Sequence, residues 1–275
     1  MKQKNAYYFS VNFLLLMGLS FINDAKAQWP RGQGNAYLQF SYGAASASDE
    51  FNGNGNLQVL GGTENPQSYS ENAVFGYFEY GLTDKLTFIA STFYKDVFIE
   101  ERGQDLETAG LSDLTLQARY TLLQTDKFVL SPQVGVKIPT GYDEDTNPPL
   151  GSGETDLLLN ITAGFSFFPV PAYISAGLGT KFRDGPQQDE IFGYLEGGYY
   201  ITSNLLLRGR FDFLESTTNT NNSFNVAEQA IVTTGPGITY SVLDSIHLSV
   251  DGKWTVGGRT TSQLTNFLGG VTFTF

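Results

Sequence analysis

The segment 264–275 alternates in character along its length. Phe275, Phe273, Val271 and Phe267 share one parity, and Thr274, Thr272 and Asn266 share the other. Such a strand has one apolar face and one wet face, and it ends on an aromatic residue. Repeated strands of this kind behind an export signal point to an all-β fold, a transmembrane antiparallel up-and-down β-barrel. Only a closed sheet satisfies every backbone donor and acceptor in lipid without helices. Phe273 and Phe275 are then expected to serve as the C-terminal signal read by the barrel-assembly machinery.

The N-terminus supplies the export signal. Lys2 and Lys4 precede the apolar run from Phe13 to Ile22, and Ala25-Lys26-Ala27 offers a small-x-small cleavage site. The run is too short to cross a bilayer as a helix. Residues 1–27 therefore read as a signal peptide and 28–275 as the barrel. With no cysteine anywhere, neither disulfides nor thiolate metal sites are available, and stability must come from the sheet.

Cleavage removes three of the 16 basic residues and one of the 28 acidic ones, which moves the net charge from −12 to −14. Nucleic acid is excluded as a partner on that charge; the expected partners are outer-membrane lipid, lipopolysaccharide and small-molecule solutes. Acids fall in expected loops at Asp49, Glu50, Glu100, Glu101, Asp105, Glu107, Asp143, Glu144, Asp145, Asp189 and Glu190. They read as a solvated, self-repelling rim. The run 143–147 is the best set of hard oxygen ligands, but it lacks the spacing and glycine of a calcium loop. No cofactor or metal is expected.

Alternation is cleanest where Ile246, Leu248, Val250, Trp254 and Val256 oppose His247, Ser249, Asp251, Lys253 and Thr255. Similar runs cover 114–122, 128–138, 157–167, 174–183, 205–213 and 264–275, with further strands expected near 34–45, 72–82, 85–98, 190–202 and 227–242. Tight connections at 82–85, 125–127, 168–171, 202–204 and 243–245 alternate with longer ones. That asymmetry of short inner turns and long outer loops gives about twelve strands. Pro132 and Pro236 fall inside strands, where bulges are expected. The Gly/Asn-rich stretch 46–70 reads as a first outer loop with a short strand near 57–60.

Parity places Arg119, Lys137, Lys181, Arg183, Arg208, Arg210, Lys253 and His247 inside, with Asp113, Glu79, Asp156, Glu196, Asp212 and Asp251. Charges of both signs would form a salt-bridge lattice that stiffens the wall, or a transverse field with Arg208 and Arg210 as its selectivity element. Phe75, Tyr77, Phe93, Tyr194 and Tyr200 share the inward parity and form an aromatic strip, which either fills the barrel or meets an amphipathic passenger.

His247 is the sole histidine, with Ser249 and Asp251 on its face. Side chains two apart on a strand face lie roughly 7 Å apart, too far for a triad, so no enzyme is expected. A channel or transporter for passive uptake of small molecules is the leading reading. A structural or surface-binding, adhesin-like barrel with a plugged lumen is the alternative.

Three groups of residues carry a family resemblance. They are Tyr77-Phe78-Glu79-Tyr80-Gly81-Leu82-Thr83-Asp84-Lys85-Leu86-Thr87; Gly110-Leu111-Ser112-Asp113-Leu114 with Ala118-Arg119-Tyr120; and Val136-Lys137-Ile138-Pro139-Thr140-Gly141 followed by Gly151-Ser152-Gly153-Glu154-Thr155-Asp156. In order and spacing they resemble the outer-membrane family named for the meta-pathway of phenol degradation. The resemblance spans most of the mature chain and implies a barrel in the bacterial outer membrane that takes up small aromatic or hydrocarbon compounds. It implies no catalytic residues.

Overall fold

Alternating strands leave one side apolar and one side polar, and a closed ring buries the polar side while turning the apolar side to lipid. The computed structural model, which describes residues 29–101, 103–143, 146–184, 188–217 and 229–275, has this architecture. The expected signal peptide and its cleavage point lie outside the described residues. Twelve antiparallel strands make the wall: β1 (Ala36–Ala47), β2 (Gln67–Gly81), β3 (Leu86–Glu101), β4 (Leu114–Tyr120), β5 (Phe128–Ile138), β6 (Asp156–Ser166), β7 (Ala172–Arg183), β8 (Glu190–Tyr200), β9 (Leu205–Ser216), β10 (Ala230–Leu243), β11 (Ile246–Arg259) and β12 (Thr265–Thr274).

Each strand pairs with its sequence neighbours, and β12 returns to β1 to close the ring. The seam runs from Tyr37 opposite Thr274 to Ser46 opposite Thr265. Its last rung is made by Ala36 and Phe275, whose backbones exchange bonds of 3.2 and 3.0 Å. The terminal residue therefore closes the barrel through its main chain while its ring, 73% exposed, points away from the interior.

Outward residues form an apolar belt. Phe40, Tyr42, Val74, Leu159, Leu195, Leu207, Ile238 and Val250 are all exposed, as lipid contact requires, with Tyr120, Phe168, Tyr199 and Tyr240 toward the short-turn end. Aromatics at that level match the interfacial girdles of membrane barrels.

One expected bulge lies beside its proline and the other does not: Tyr120, Thr121 and Leu122 stand against only Pro132 and Ser131, a one-residue irregularity. Pro132 opposes Ile161 in an unbroken register with β6. On its other side the β4 ladder ends at Arg119 opposite Gln133 and resumes only where Leu123 meets Leu130. The absent N–H of Pro132 falls in that gap, where it removes no ladder bond. Pro236 opposes Gly209 in β9 and faces a two-residue gap in the ladder toward β11, between Thr234 opposite Trp254 and Gly237 opposite Asp251. The register shifts of that pairing lie instead at Val232/Thr233 and Ser241/Leu243.

The outer end is more ordered than composition suggested. Glu100, Glu101, Asp105 and Glu107 belong to a hairpin in which Gln104–Leu111 extends β3's partner beyond the wall. Leu106, Thr108 and Gly110 supply its inward parity, which shifts at Ser112 and Asp113 before β4 begins. The acidic residues between them hid that alternation. In the first outer loop Leu57–Val59 pairs with Asp49–Phe51, which pairs with Thr261–Ser262 from the last outer loop. A small three-stranded patch thus joins two loops across the seam.

Candidate functional site

The site is the barrel interior, and its charges sort into three clusters at successive depths. At the short-turn end Glu79 accepts from Tyr77 Oη at 2.5 Å and from Arg119 Nη2 at 3.1 Å, with Arg31 on its other side. Midway, Glu196 takes Tyr173 Oη at 2.6 Å and Arg210 Nη1 at 3.3 Å, with Arg208 Nη1 at 3.7 Å. Asp212 then bridges Arg210 Nε at 2.9 Å and Lys253 Nζ at 3.0 Å, while Asp251 holds Arg208. Near the outer end Lys137 Nζ lies 3.2 Å from Asp113 and 2.7 Å from Asp156, and Glu190 joins Lys181 to Arg183, with Arg183 Nη2 at 2.8 Å.

Arg119, Lys137, Lys181, Arg183, Arg208, Arg210, Asp212, Glu79 and Glu196 thus all face inward, each against a partner of opposite sign. Strand alternation alone puts them there, because each sits an even number of steps from an inward neighbour. Burying such charges costs several kcal/mol each unless they are paired and hydrogen-bonded, and the pairing runs from strand to strand around the wall. Glu190, expected in a loop, is instead the buried first residue of β8. Its place beside Asp189 and a Gly-Pro-Gln stretch disguised it as rim.

The aromatic strip is split. Phe75, Tyr77 and Phe93 form one cluster with Tyr37: the Phe75 and Phe93 rings lie 4.7 Å apart, and Tyr37 meets Tyr77 edge-on at 5.9 Å. Tyr194 is on β8, across the ring of strands, where the Arg210 guanidinium stacks over it at 4.1 Å. Tyr200 lies at the short-turn end of the same strand. Shared parity fixes the face and leaves position around the ring to strand order, which separates β8 from β2 and β3.

Glycine sets how these rings lie. A Cβ at Gly177 would come within 2.3 Å of Tyr194 Cε1, and one at Gly198 within 2.1 Å of Tyr173 Cε1. In each case the tyrosine lies flat across the glycine opposite it in register. Tyr173 is thereby laid along the wall toward Glu196.

Residues 146–155, with Tyr142, fold against the inner wall at the outer end. Leu150 is buried, and a Cβ at Gly110 would lie 2.6 Å from its Cδ1. Ser112 Oγ donates to the Leu150 carbonyl at 2.6 Å, Tyr142 Oη to Asp113 at 2.5 Å, and the Gly153 amide to Tyr142 Oη at 2.8 Å. Lys137 reaches Ser152 as well. The Ser112-Asp113, Lys137-Ile138 and Gly151-Ser152-Gly153 segments, far apart in sequence, meet here. Glu79 and Arg119, also from separate segments, meet at the other end.

His247 Nδ1 lies 2.8 Å from Ser241 Oγ on the neighbouring strand, not from Ser249. Among the described residues no carboxylate bonds its other ring nitrogen. Glu144 and Asp145 lie outside the described residues, and no group of three or more potential metal ligands occurs among those described. Sequence reading also missed Tyr37, Tyr173, Lys95 and Glu71, all buried on the inner face. Lys95 shares the parity of Phe93, two residues before it, and that was the available signal.

Comparison with solved structures places the fold. An outer membrane channel from Pseudomonas putida F1 superposes with a TM-score of 0.74 at 14% identity, covering 90% of this chain and 98% of that one. The translocator domain of the autotransporter NalP from Neisseria meningitidis gives 0.53 at 8%, covering 88% of each chain. The NanC porin gives 0.53 at 8%, covering 86% of this chain and 98% of its own. No protein-family model and no curated protein sequence matches the chain. At these identities the likeness is one of fold, which a channel, a porin and a translocator share. Closed sheet, lipid-facing belt and fold together make this chain a bacterial outer-membrane barrel.

Proposed function

We propose that the protein is a passive outer-membrane channel for small solutes, suited to molecules with a polar end and an aromatic or hydrocarbon body. One observation carries this reading: the interior has two unlike walls. From β4 to β11 it presents paired charges, and from β12 through β1 to β3, apart from Glu79, Glu71 and Lys95, it presents Tyr37, Phe75, Tyr77, Ile89, Phe93, Val97 and Leu268. A solute between them can exchange hydrogen bonds on one side and rest an apolar face on the other. The charges are fixed by their partners and need no rearrangement as a solute passes. The resemblance to a phenol-associated family agrees with that chemistry.

Lipid, lipopolysaccharide and the assembly machinery are the partners this reading requires. Its test is flux. Liposomes carrying the refolded protein should admit small aromatic alcohols and acids faster than sugars of equal mass, and equal exclusion of all would reject the reading. A second reading, a closed barrel that displays a binding surface, draws on the three-stranded patch built by the first and last outer loops. It would be favoured by folded, impermeable barrels whose loops bind a partner.

A further inference from the structure

Two interior charges stand outside the lattice. Lys95 is 1% exposed, and among the described residues no carboxylate lies within 4.0 Å of its ammonium. The Phe93 ring lies 5.2 Å from it, and Glu71 and Asp113 act on it only at longer range. Glu71 is 2% exposed; one oxygen accepts from Tyr69 Oη at 2.7 Å, while Oε1 is buried without a hydrogen-bond partner. The two are of opposite sign and sit one diagonal step apart on neighbouring strands, Glu71 opposite Val97 and Lys95 opposite Ala73. They do not meet.

We propose that Lys95 and Glu71, with Phe75, Phe93 and Tyr69, form a lumenal subsite for a small zwitterion with an apolar or aromatic side chain, such as an aromatic α-amino acid. The proposal rests on the channel reading and names one solute class for it. A buried ammonium without a counterion is costly, and so is a buried carboxylate oxygen without a donor. One ligand carrying a carboxylate and an ammonium relieves both at once. A simple anion leaves Glu71 unmet and is repelled by it; a simple amine does the same at Lys95. Diagonal positions on a sheet lie roughly 7 to 8 Å apart, a gap that a carboxylate–carbon–ammonium unit bridges between two long side chains.

The surroundings are apolar and closely packed. Lys95 is flanked in register by Ala73 on one side and Gly110 on the other, neither of which offers it a polar side chain. The Phe75 and Phe93 rings supply a flat apolar surface beside the ammonium, and Leu150 lies over Gly110 from the inward-folded loop. The subsite is in the outer half of the barrel, so an entering solute meets it before the mid-barrel arginines.

Calorimetric titration of the detergent-solubilised protein with L-phenylalanine, benzoate and 2-phenylethylamine tests this without relying on conductance. Phenylalanine should bind more tightly than either single-charge analogue. Lys95→Met and Glu71→Gln should each weaken it at least about tenfold, the loss expected for one charge-assisted contact. Heat-modifiable gel migration would verify that both variants fold. Benzoate binding as tightly as phenylalanine and indifferent to Glu71→Gln, variants binding like wild type, or no binding by any of the three would each overturn the proposal. Binding by a barrel that does not conduct would reject the channel and retain the subsite; conduction without binding would do the reverse.

Discussion

Glu196 is the residue whose neutralisation tells most about the interior. It faces Arg210 at 3.3 Å and Arg208 at 3.7 Å and accepts from Tyr173 at 2.6 Å. At those separations and an effective dielectric of about 20, each ion pair amounts to roughly 4 to 5 kcal/mol of attraction, most of it offset by desolvation. In Glu196→Gln both arginines keep a second carboxylate, Asp212 for Arg210 and Asp251 for Arg208. The loss should therefore stay below the 3 to 5 kcal/mol of a fully orphaned charge, at about 2 kcal/mol. Glutamine still accepts from Tyr173, so the ring should hold its place. The lumen gains one net positive charge. At about 5 Å in water a unit charge is worth roughly 0.8 kcal/mol to a passing ion, about a fourfold change in relative permeability toward anions. Urea unfolding in micelles reads the first figure, and reversal potential across a salt gradient reads the second. A folded variant with unchanged ion preference would refute the idea that the mid-barrel lattice lies along the path.

Other perturbations isolate other parts. Gly198→Ala puts a methyl where Tyr173 lies, 2.1 Å from its ring. Displacement of that ring should cost about 1 to 3 kcal/mol, visible as a lowered urea midpoint. Leu150→Asp should release residues 146–155 from Gly110, shown by faster proteolysis within them and larger conductance; unchanged cleavage would contradict the docked geometry. Phe275→Ala removes an outward ring and leaves the Ala36 rung intact. It should lower the yield of membrane-assembled barrel while shifting the unfolding midpoint of the assembled fraction by less than about 1 kcal/mol.

Much of this was legible in the chain because a two-residue period is a direct readout of two-sided burial. Ile246 to Val256 alternate against His247 to Thr255, and β11 has those faces. The inward charges followed from parity alone. Position around the ring and depth did not, so Tyr194 was grouped with Phe75 although it packs under Arg210. Acidic residues misled most: Glu190 and the 100–107 hairpin resemble solvated loops by composition, yet Lys181 and Arg183 neutralise the first and backbone pairing orders the second. Lys95 was passed over because a single lysine among aromatics carries no partner in sequence that would mark it. The bulge expected at Pro236 was misplaced because a proline disrupts a ladder only where a bond would otherwise form, and pairing on the neighbouring strands decides that.

The central claim is that the two-walled interior is a passage. Single-channel recording of the refolded protein in planar bilayers tests it most directly. The account predicts a steady small conductance, transiently blocked by amphipathic aromatic solutes and made more anion-preferring by Glu196→Gln. A correctly folded barrel that stays electrically silent under all these conditions would contradict it.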